Sequence, residues 1–308
     1  MERLQRFGMS LLLLLLCVAT IKALVQQQLF PRQARGGSSW LTPLRVSTPK
    51  KDPVSRNEAS ADLARIRQHR VFNFSTSDYP FQEAALQILE KEGGESISVA
   101  LDMLHLSKKG DCAVSDKSGA ELNYYQSLWN RERHLDDVSR GAEFAEFGRI
   151  YKRFVAEVCG PALGGGRVLY QRTPTLRVYT PGKQTAMGKF HCDEEFLHQP
   201  SEINFWLPLT GRVFGSNSLW VESEPMKGDF APLNLSYGQC YSGWLNQCRH
   251  GCVPNDSSRT RVSIDFRIVT EATGGHNPDF KRGLRRGPKA KFQTAFDVGG
   301  FYDLVTLL

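Results

Sequence analysis

Histidine is scarce in this chain: seven in 308 residues, at positions 69, 105, 134, 191, 198, 250 and 276. Seven cysteines are present, but no CxxC pair, and Cys248 and Cys252 around His250 stand alone. A four-ligand structural zinc site therefore has no sequence basis. No internal repeat stands out. Net charge is lacking where it would count. The whole chain sums to +7, but residues 1–51 hold eight Lys/Arg against Glu2 alone, and the remaining 31 basic and 31 acidic residues cancel. The body thus offers no overall electrostatic attraction for nucleic acid.

The basic surplus belongs to an N-terminal leader, residues 1–51. A charged start, MERLQR, precedes FGMSLLLLLLCVATI, an apolar run of 15 residues. A membrane span needs about 20, so the length suits a signal-peptide core. Cys17-Val18-Ala19 and Ile21-Lys22-Ala23 both end in the small residue that a signal peptidase requires. The next stretch is acid-free and Gln/Ser-rich, as in organelle transit peptides. The expectation is the secretory pathway, or a plastid reached through it. The alternative is an uncleaved membrane tether, since Ala23, Leu24 and Val25 can lengthen the run. Behind such a signal the six body cysteines permit disulfides. The triplets at Asn73, Asn234 and Asn255 would become glycosylation acceptors.

Residues 30–58 read as a disordered, Pro/Gly/Ser-rich continuation. A helical layer is expected over 59–165. Leu63 and Ile66 mark a helix over Ala59–Arg70, and Ala85, Leu86, Ile88 and Leu89 mark one over Phe81–Lys91. Phe144, Phe147, Ile150, Tyr151, Phe154, Val155 and Val158 form a stripe over Glu143–Cys159. From 166 to 270 the period becomes two, in short runs separated by Gly, Pro and Asn: VLYQR, LRVYT, MGKFH, INFWLPL, SLWVES, LNLSYG, YSGWL and TRVSIDFRIV. This is the pattern of a sandwich or jelly roll. The fold class expected is α+β, a helical layer on a β-roll. Residues 271–308 read as a tail with a basic stretch, KRGLRRGPKAK, at 281–291.

Chemistry concentrates in FHCDEEFLHQPSEINFWLPLTG, from Phe190 to Gly211. At a strand end, residues i and i+2 face one way, so His191 and Asp193 can be adjacent metal ligands. His250, well downstream in the β region, would complete two imidazoles and one carboxylate, the facial set of non-haem Fe(II) sites. His-x-Asp alone is common in surface turns. The last long strand adds to it. Arg261, Ser263, Asp265 and Arg267 share one face, and Val262, Ile264, Phe266 and Ile268 the other. A guanidinium and a hydroxyl facing a cavity can grip a carboxylate.

In its order, His-x-Asp, distal His, then Arg-x-Ser eleven residues later, the chain resembles the 2-oxoglutarate-dependent Fe(II) oxygenases of the double-stranded β-helix fold. The stretch KFHCDEEFLHQPSEINFWLPLTGRVFGSNSLWVES…GWLNQCRHGCVPNDSSRTRVSIDFR resembles streptomycin-biosynthesis and phytanoyl-CoA-type dioxygenase-like proteins. The resemblance spans about residues 165–270. It implies Fe(II) on His191, Asp193 and His250, with the distal carboxylate of 2-oxoglutarate on Arg261 and Ser263. Asn204, sharing a face with Glu202 and Trp206, is taken to contact the cosubstrate. The implied reaction consumes O₂, releases succinate and CO₂, and hydroxylates a small polar molecule, with ascorbate as support. Halogenases of this kind lack the carboxylate ligand, so Asp193 argues against halogenation.

Two other classes stay open: a metal β-roll of the cupin type doing non-redox isomerisation, and a non-catalytic jelly-roll binding module. His198, seven residues after His191, is expected beside the site or on the surface rather than as a swapped ligand. Glu194 and Glu195 are expected in solvent or beside the site, and Cys192 in the wall. Trp206, Trp220 and Trp244 are expected in the core, with room for one at the pocket.

Overall fold

The computed structural model describes residues 62–115, 121–131, 139–182, 189–277 and 298–307. The leader, the start of the first expected helix and the basic 281–291 stretch lie outside the described residues. No described helix is long and apolar enough to cross a membrane.

Helix α1, Phe81–Gly93, buries Phe81, Ala84, Ala85, Ile88 and Leu89. It stops at Gly94, whose left-handed backbone (φ 63°) lets its N–H close on the Glu90 and Lys91 carbonyls. Helix α2, Tyr124–Asn130, begins where the Asn123 side chain accepts the Tyr125 N–H. Helix α3, Ala142–Phe154, turns Phe144, Phe147, Ile150, Tyr151 and Phe154 inward and runs on as a π-turn over Val155–Cys159. The stripe expected from the sequence is therefore helical throughout, with a change of pitch at Val155.

Fourteen strands are described: β1 Arg70–Asn73, β2 Ala113–Ser115, β3 Glu121–Asn123, β4 Arg167–Gln171, β5 Thr175–Tyr179, β6 Ile203–Pro208, β7 Arg212–Val213, β8 Trp220–Val221, β9 Ala231–Pro232, β10 Leu235–Ser236, β11 Gln239–Gly243, β12 His250–Gly251, β13 Arg261–Thr270 and β14 Tyr302–Thr306. The main sheet is antiparallel, ordered β1-β11-β6-β13-β4-β14, with β5 also on β13. A smaller ladder runs β12-β8-β9, and β10 pairs β7. Strand β13 is the spine. β6 pairs one edge, while β5 and β4 divide the other, Arg261–Asp265 and Ile268–Thr270. The division falls at Thr173-Pro174, where proline has no N–H to give a ladder.

The two faces of β13 differ as its alternation requires. Val262, Ile264, Phe266 and Ile268 join the large apolar core with Phe147, Tyr151 and Phe154 of α3. Phe266 sits 5.4 Å from the parallel ring of Phe205 and 5.0 Å from Tyr151. On the other side a second cluster holds Tyr179 and Trp206 against Leu219, Val221 and Leu245. The result is helices on a mixed-length antiparallel sheet, with the small ladder beyond it.

Two features differ from the sequence reading. Arg70, placed at a helix end, opens β1, because Val71 and Phe72 pair with Tyr241 and Cys240 of β11. Tyr302–Thr306, placed in a tail, forms β14 on β4. The six described cysteines are unbridged.

Candidate metal centre

His191 and His250 are cross-strand partners. Each backbone N–H donates to the other's carbonyl, at 3.0 and 2.8 Å, outside the longer strands. Antiparallel partners carry their side chains on one side, and the two imidazole centroids lie 4.5 Å apart. Asp193 follows two residues on, at the start of a 3₁₀ turn ending at Leu197, which takes φ 67°. The Asp193 N–H is pinned to the Leu245 carbonyl at 3.0 Å.

Ligand atoms of His191, Asp193 and His250 all lie within 4.8 Å of one another, and they form the one such group among the described residues. Asp193 Oδ1 is 3.8 Å from His191 Nε2 and 3.6 Å from His250 Nε2. The tautomers follow from the partners. His191 Nδ1 donates to the Lys189 carbonyl at 2.8 Å and His250 Nδ1 to the Cys248 carbonyl at 3.2 Å. A carbonyl can only accept, so each Nδ1 carries a proton, and each Nε2 is the ring atom turned toward Asp193. Burial, with the neighbouring His191, holds the His250 imidazole down to about 4 against the pull of Asp193. It is neutral at physiological pH. Burial would raise the Asp193 carboxyl, but Arg267, His198, His250 and the Asn204 amide outweigh it and keep it well below the usual range. A carboxylate with two imidazole nitrogens is the donor chemistry of a divalent transition metal.

One cavity adjoins this group, lined by His191, His250, Asn204, Trp206, Tyr179 and Arg261, among others. Arg261 is 4% exposed. Its guanidinium lies 4.9 Å from the Tyr179 ring and 5.8 Å from that of Trp206, and Nη1 reaches the Asn217 carbonyl at 3.4 Å and Cys252 Sγ at 3.3 Å. Arg261 Nε and Ser263 Oγ are buried without a protein hydrogen-bond partner. Arg261 lines the cavity, so its Nε is a group that a carboxylate entering there would satisfy. Asn204 Nδ2 donates to Asp193 Oδ2 at 2.6 Å, and its Oδ1 is likewise buried and unpartnered.

Several surrounding residues take defined places. His198 Nδ1 meets Glu202 Oε2 at 2.6 Å, beside the site rather than in it. Tyr302, from β14, donates its hydroxyl to Glu202 Oε1. Glu194 and Glu195 are exposed, with Glu195 on Arg249 at 2.9 Å. Trp206 lines the cavity, whereas Trp220 and Trp244 are not among its lining residues. Among the described residues, Cys248 and Cys252 belong to no metal-ligating group. Sequence reasoning missed Arg267, whose fork grips Asp193 Oδ2 through Nε at 3.0 Å and Nη2 at 2.9 Å. Alternation put Arg267 on the correct face, but only tertiary contact reveals its partner. Gln126 of α2, also in the cavity wall, left no sequence signal.

No family model matches the chain. Solved structures with partial overlap include the non-heme alpha-ketoglutarate-dependent carbocyclase SnoK from nogalamycin biosynthesis, 15% identical, covering 81% of this chain and 96% of that one at a TM-score of 0.45. EctD from S. alaskensis with bound Fe is also 15% identical, with 78% and 88% covered and a TM-score of 0.40. The streptomycin biosynthesis protein StrG of Streptomyces griseus is 32% identical over 156 residues, 51% of this chain and 69% of StrG. On that match, the chain belongs to the family of StrG.

Proposed function

We propose that the protein is a non-haem Fe(II)/2-oxoglutarate-dependent oxygenase that hydroxylates a small polar metabolite. The observation that carries this is a pairing across one cavity. Two imidazoles and a carboxylate point their free ligand atoms at one place, and a buried guanidinium and hydroxyl have polar atoms without partners on the adjoining strand face. A metal-only site would need the first set and leave the second unexplained. In this reading the main sheet and the small ladder are the two walls of a double-stranded β-helix.

His191, Asp193 and His250 would hold the ferrous ion, where it would serve cosubstrate and oxygen together. Arg261 and Ser263 orient the cosubstrate by its distal carboxylate, the guanidinium supplying charge and direction together. Tyr179 and Trp206 flank Arg261 and exclude water from that ion pair, which strengthens it. Bound there, iron would let O₂ act as the oxidant: the 2-oxo acid gives up two electrons, loses CO₂ and takes one oxygen atom as it becomes succinate, and the other oxygen atom enters a substrate C–H bond. The name of the relative, a streptomycin biosynthesis protein, favours a small hydroxylated substrate such as a sugar or cyclitol.

The test is O₂-dependent formation of succinate from 2-oxoglutarate by the full chain with Fe(II) and ascorbate. Turnover is expected, and Asp193→Ala should abolish it and weaken iron binding. A protein that binds metal yet forms no succinate with any polyol or sugar offered would point to non-redox isomerisation. One that binds neither metal nor 2-oxoglutarate would be a binding module.

A further inference from the structure

Asp193 has two oxygens in unlike surroundings. Oδ1 faces the two Nε2 atoms, at 3.8 and 3.6 Å. Oδ2 receives three donors: Asn204 Nδ2 at 2.6 Å, Arg267 Nε at 3.0 Å and Arg267 Nη2 at 2.9 Å. Three donors saturate one carboxylate oxygen, so Oδ2 has nothing left to offer a metal. Arg267 is held just as firmly from behind. Its Nη1 donates to Asp265 Oδ2 at 2.8 Å and to Gln171 Oε1 at 3.2 Å. Asp265 Oδ1 in turn accepts Arg177 Nε at 2.8 Å. Gln171 is fixed by donating to the Thr173 carbonyl at 2.8 Å and to Thr175 Oγ1 at 3.2 Å. Strands β5 and β13 and the 3₁₀ turn thus form one chain of alternating charges, Arg177, Asp265, Arg267, Asp193, with the neutral Gln171 of β4 bracing Arg267.

We propose that Arg267 is a positioning residue that locks Asp193 as a one-oxygen ligand, with Oδ1 aimed at the metal and Oδ2 withheld. The inference rests on reading His191, Asp193 and His250 as metal ligands. The planar fork is what the task requires. It meets Asp193 with Nε and Nη2 while Nη1 reaches Asp265, a span that a lysine ammonium, a single point of charge, cannot cover. Packing alone would need only the apolar stem. Charge balance alone would be met by any cation at this depth, with no two-point contact on a single oxygen.

The experiment uses the full chain with Co(II) as probe. Affinity is read by competition with a chromophoric chelator, and ligand geometry by the d–d absorption bands. Arg267→Gln removes the charge and the fork. Arg267→Lys keeps the charge, protects the fold and removes the fork. Both are expected to bind Co(II) at least tenfold more weakly, in the range of about 10–100-fold for lost outer partners of metal ligands, and to shift the d–d bands. If Arg267→Gln does not fold, Arg267→Lys decides. Folded variants that keep Co(II) affinity within about twofold and unchanged bands would make Arg267 a structural residue and overturn the proposal. A wild-type chain that binds no Co(II) would overturn both this proposal and the oxygenase reading. Wild-type Co(II) binding without succinate formation would sink only the latter, with the band shifts still deciding the role of Arg267.

Discussion

Arg261 is the residue whose removal says most. Its guanidinium is nearly inaccessible, sits between Tyr179 and Trp206, and leaves Nε unpartnered. A hydrogen bond to a charged partner contributes about 1.5–3 kcal/mol. Arg261→Ala should therefore raise the 2-oxoglutarate requirement about 10–100-fold while iron binding persists. Steady-state kinetics with a parallel iron titration checks this, and an unchanged cosubstrate requirement would remove Arg261 from its assigned place. The sequence supplied Arg261 and Ser263 through alternation on one strand and through resemblance. It also supplied His191 and Asp193 by their spacing. It could not supply Arg267 as the partner of Asp193, 74 residues earlier, because an arginine on an inward face reads the same whether it meets ligand, metal ligand or solvent.

Strand β13 is where periodicity translates most directly into structure. Val262, Ile264, Phe266 and Ile268 are 0% exposed, and Arg261, Ser263, Asp265 and Arg267 turn the other way. Phe266, between Phe205 and Tyr151, joins the sheet to α3. Truncating such a buried aromatic costs about 3–5 kcal/mol. Phe266→Ala is thus expected to lower the melting temperature by roughly 10 °C or more. Differential scanning calorimetry reads it, and a fall under about 2 °C would mean that the helix–sheet contact carries little. The short strands were harder to read. β12 is two residues long, too short for any period, yet it aligns His250 with His191. β14 follows a Gly-Gly pair and carries only partly buried or exposed residues after Tyr302; its place is decided by the free edge of β4.

At the scale of the molecule, the buried charges set the response to acid. Burial would raise the Asp265 carboxyl, but Arg177 and Arg267 win and hold it at about 2, below its ordinary 3.8. A depressed folded value contributes stability above the unfolded value, and that contribution is lost as pH falls through the folded value. The protein should therefore keep this contribution down to about pH 4 and lose it between about 4 and 2. Denaturant unfolding across that window, in wild type and Asp265→Asn, is the check. The variant should show a shallower dependence on pH, and identical slopes would mean that Asp265 is not part of the acid response. The same view separates the three glycosylation triplets. Asn73 and Asn234 are exposed, whereas Asn255 is fully buried and donates to the Tyr179 and Arg259 carbonyls at 3.1 and 2.9 Å.

By itself the sequence determined which segments alternate with period two and which with 3.6, and so which side chains share a face. It also determined that His191 and Asp193 stand together and that Arg261 and Ser263 stand together, because those relations are local and set by backbone geometry. Tertiary structure alone decided that His250 pairs with His191 and that Arg267 takes one oxygen of Asp193. It likewise decided that Tyr302 closes on Glu202. Those relations join strands far apart in the chain, and strand pairing depends on which edges are left free once the apolar faces have been buried.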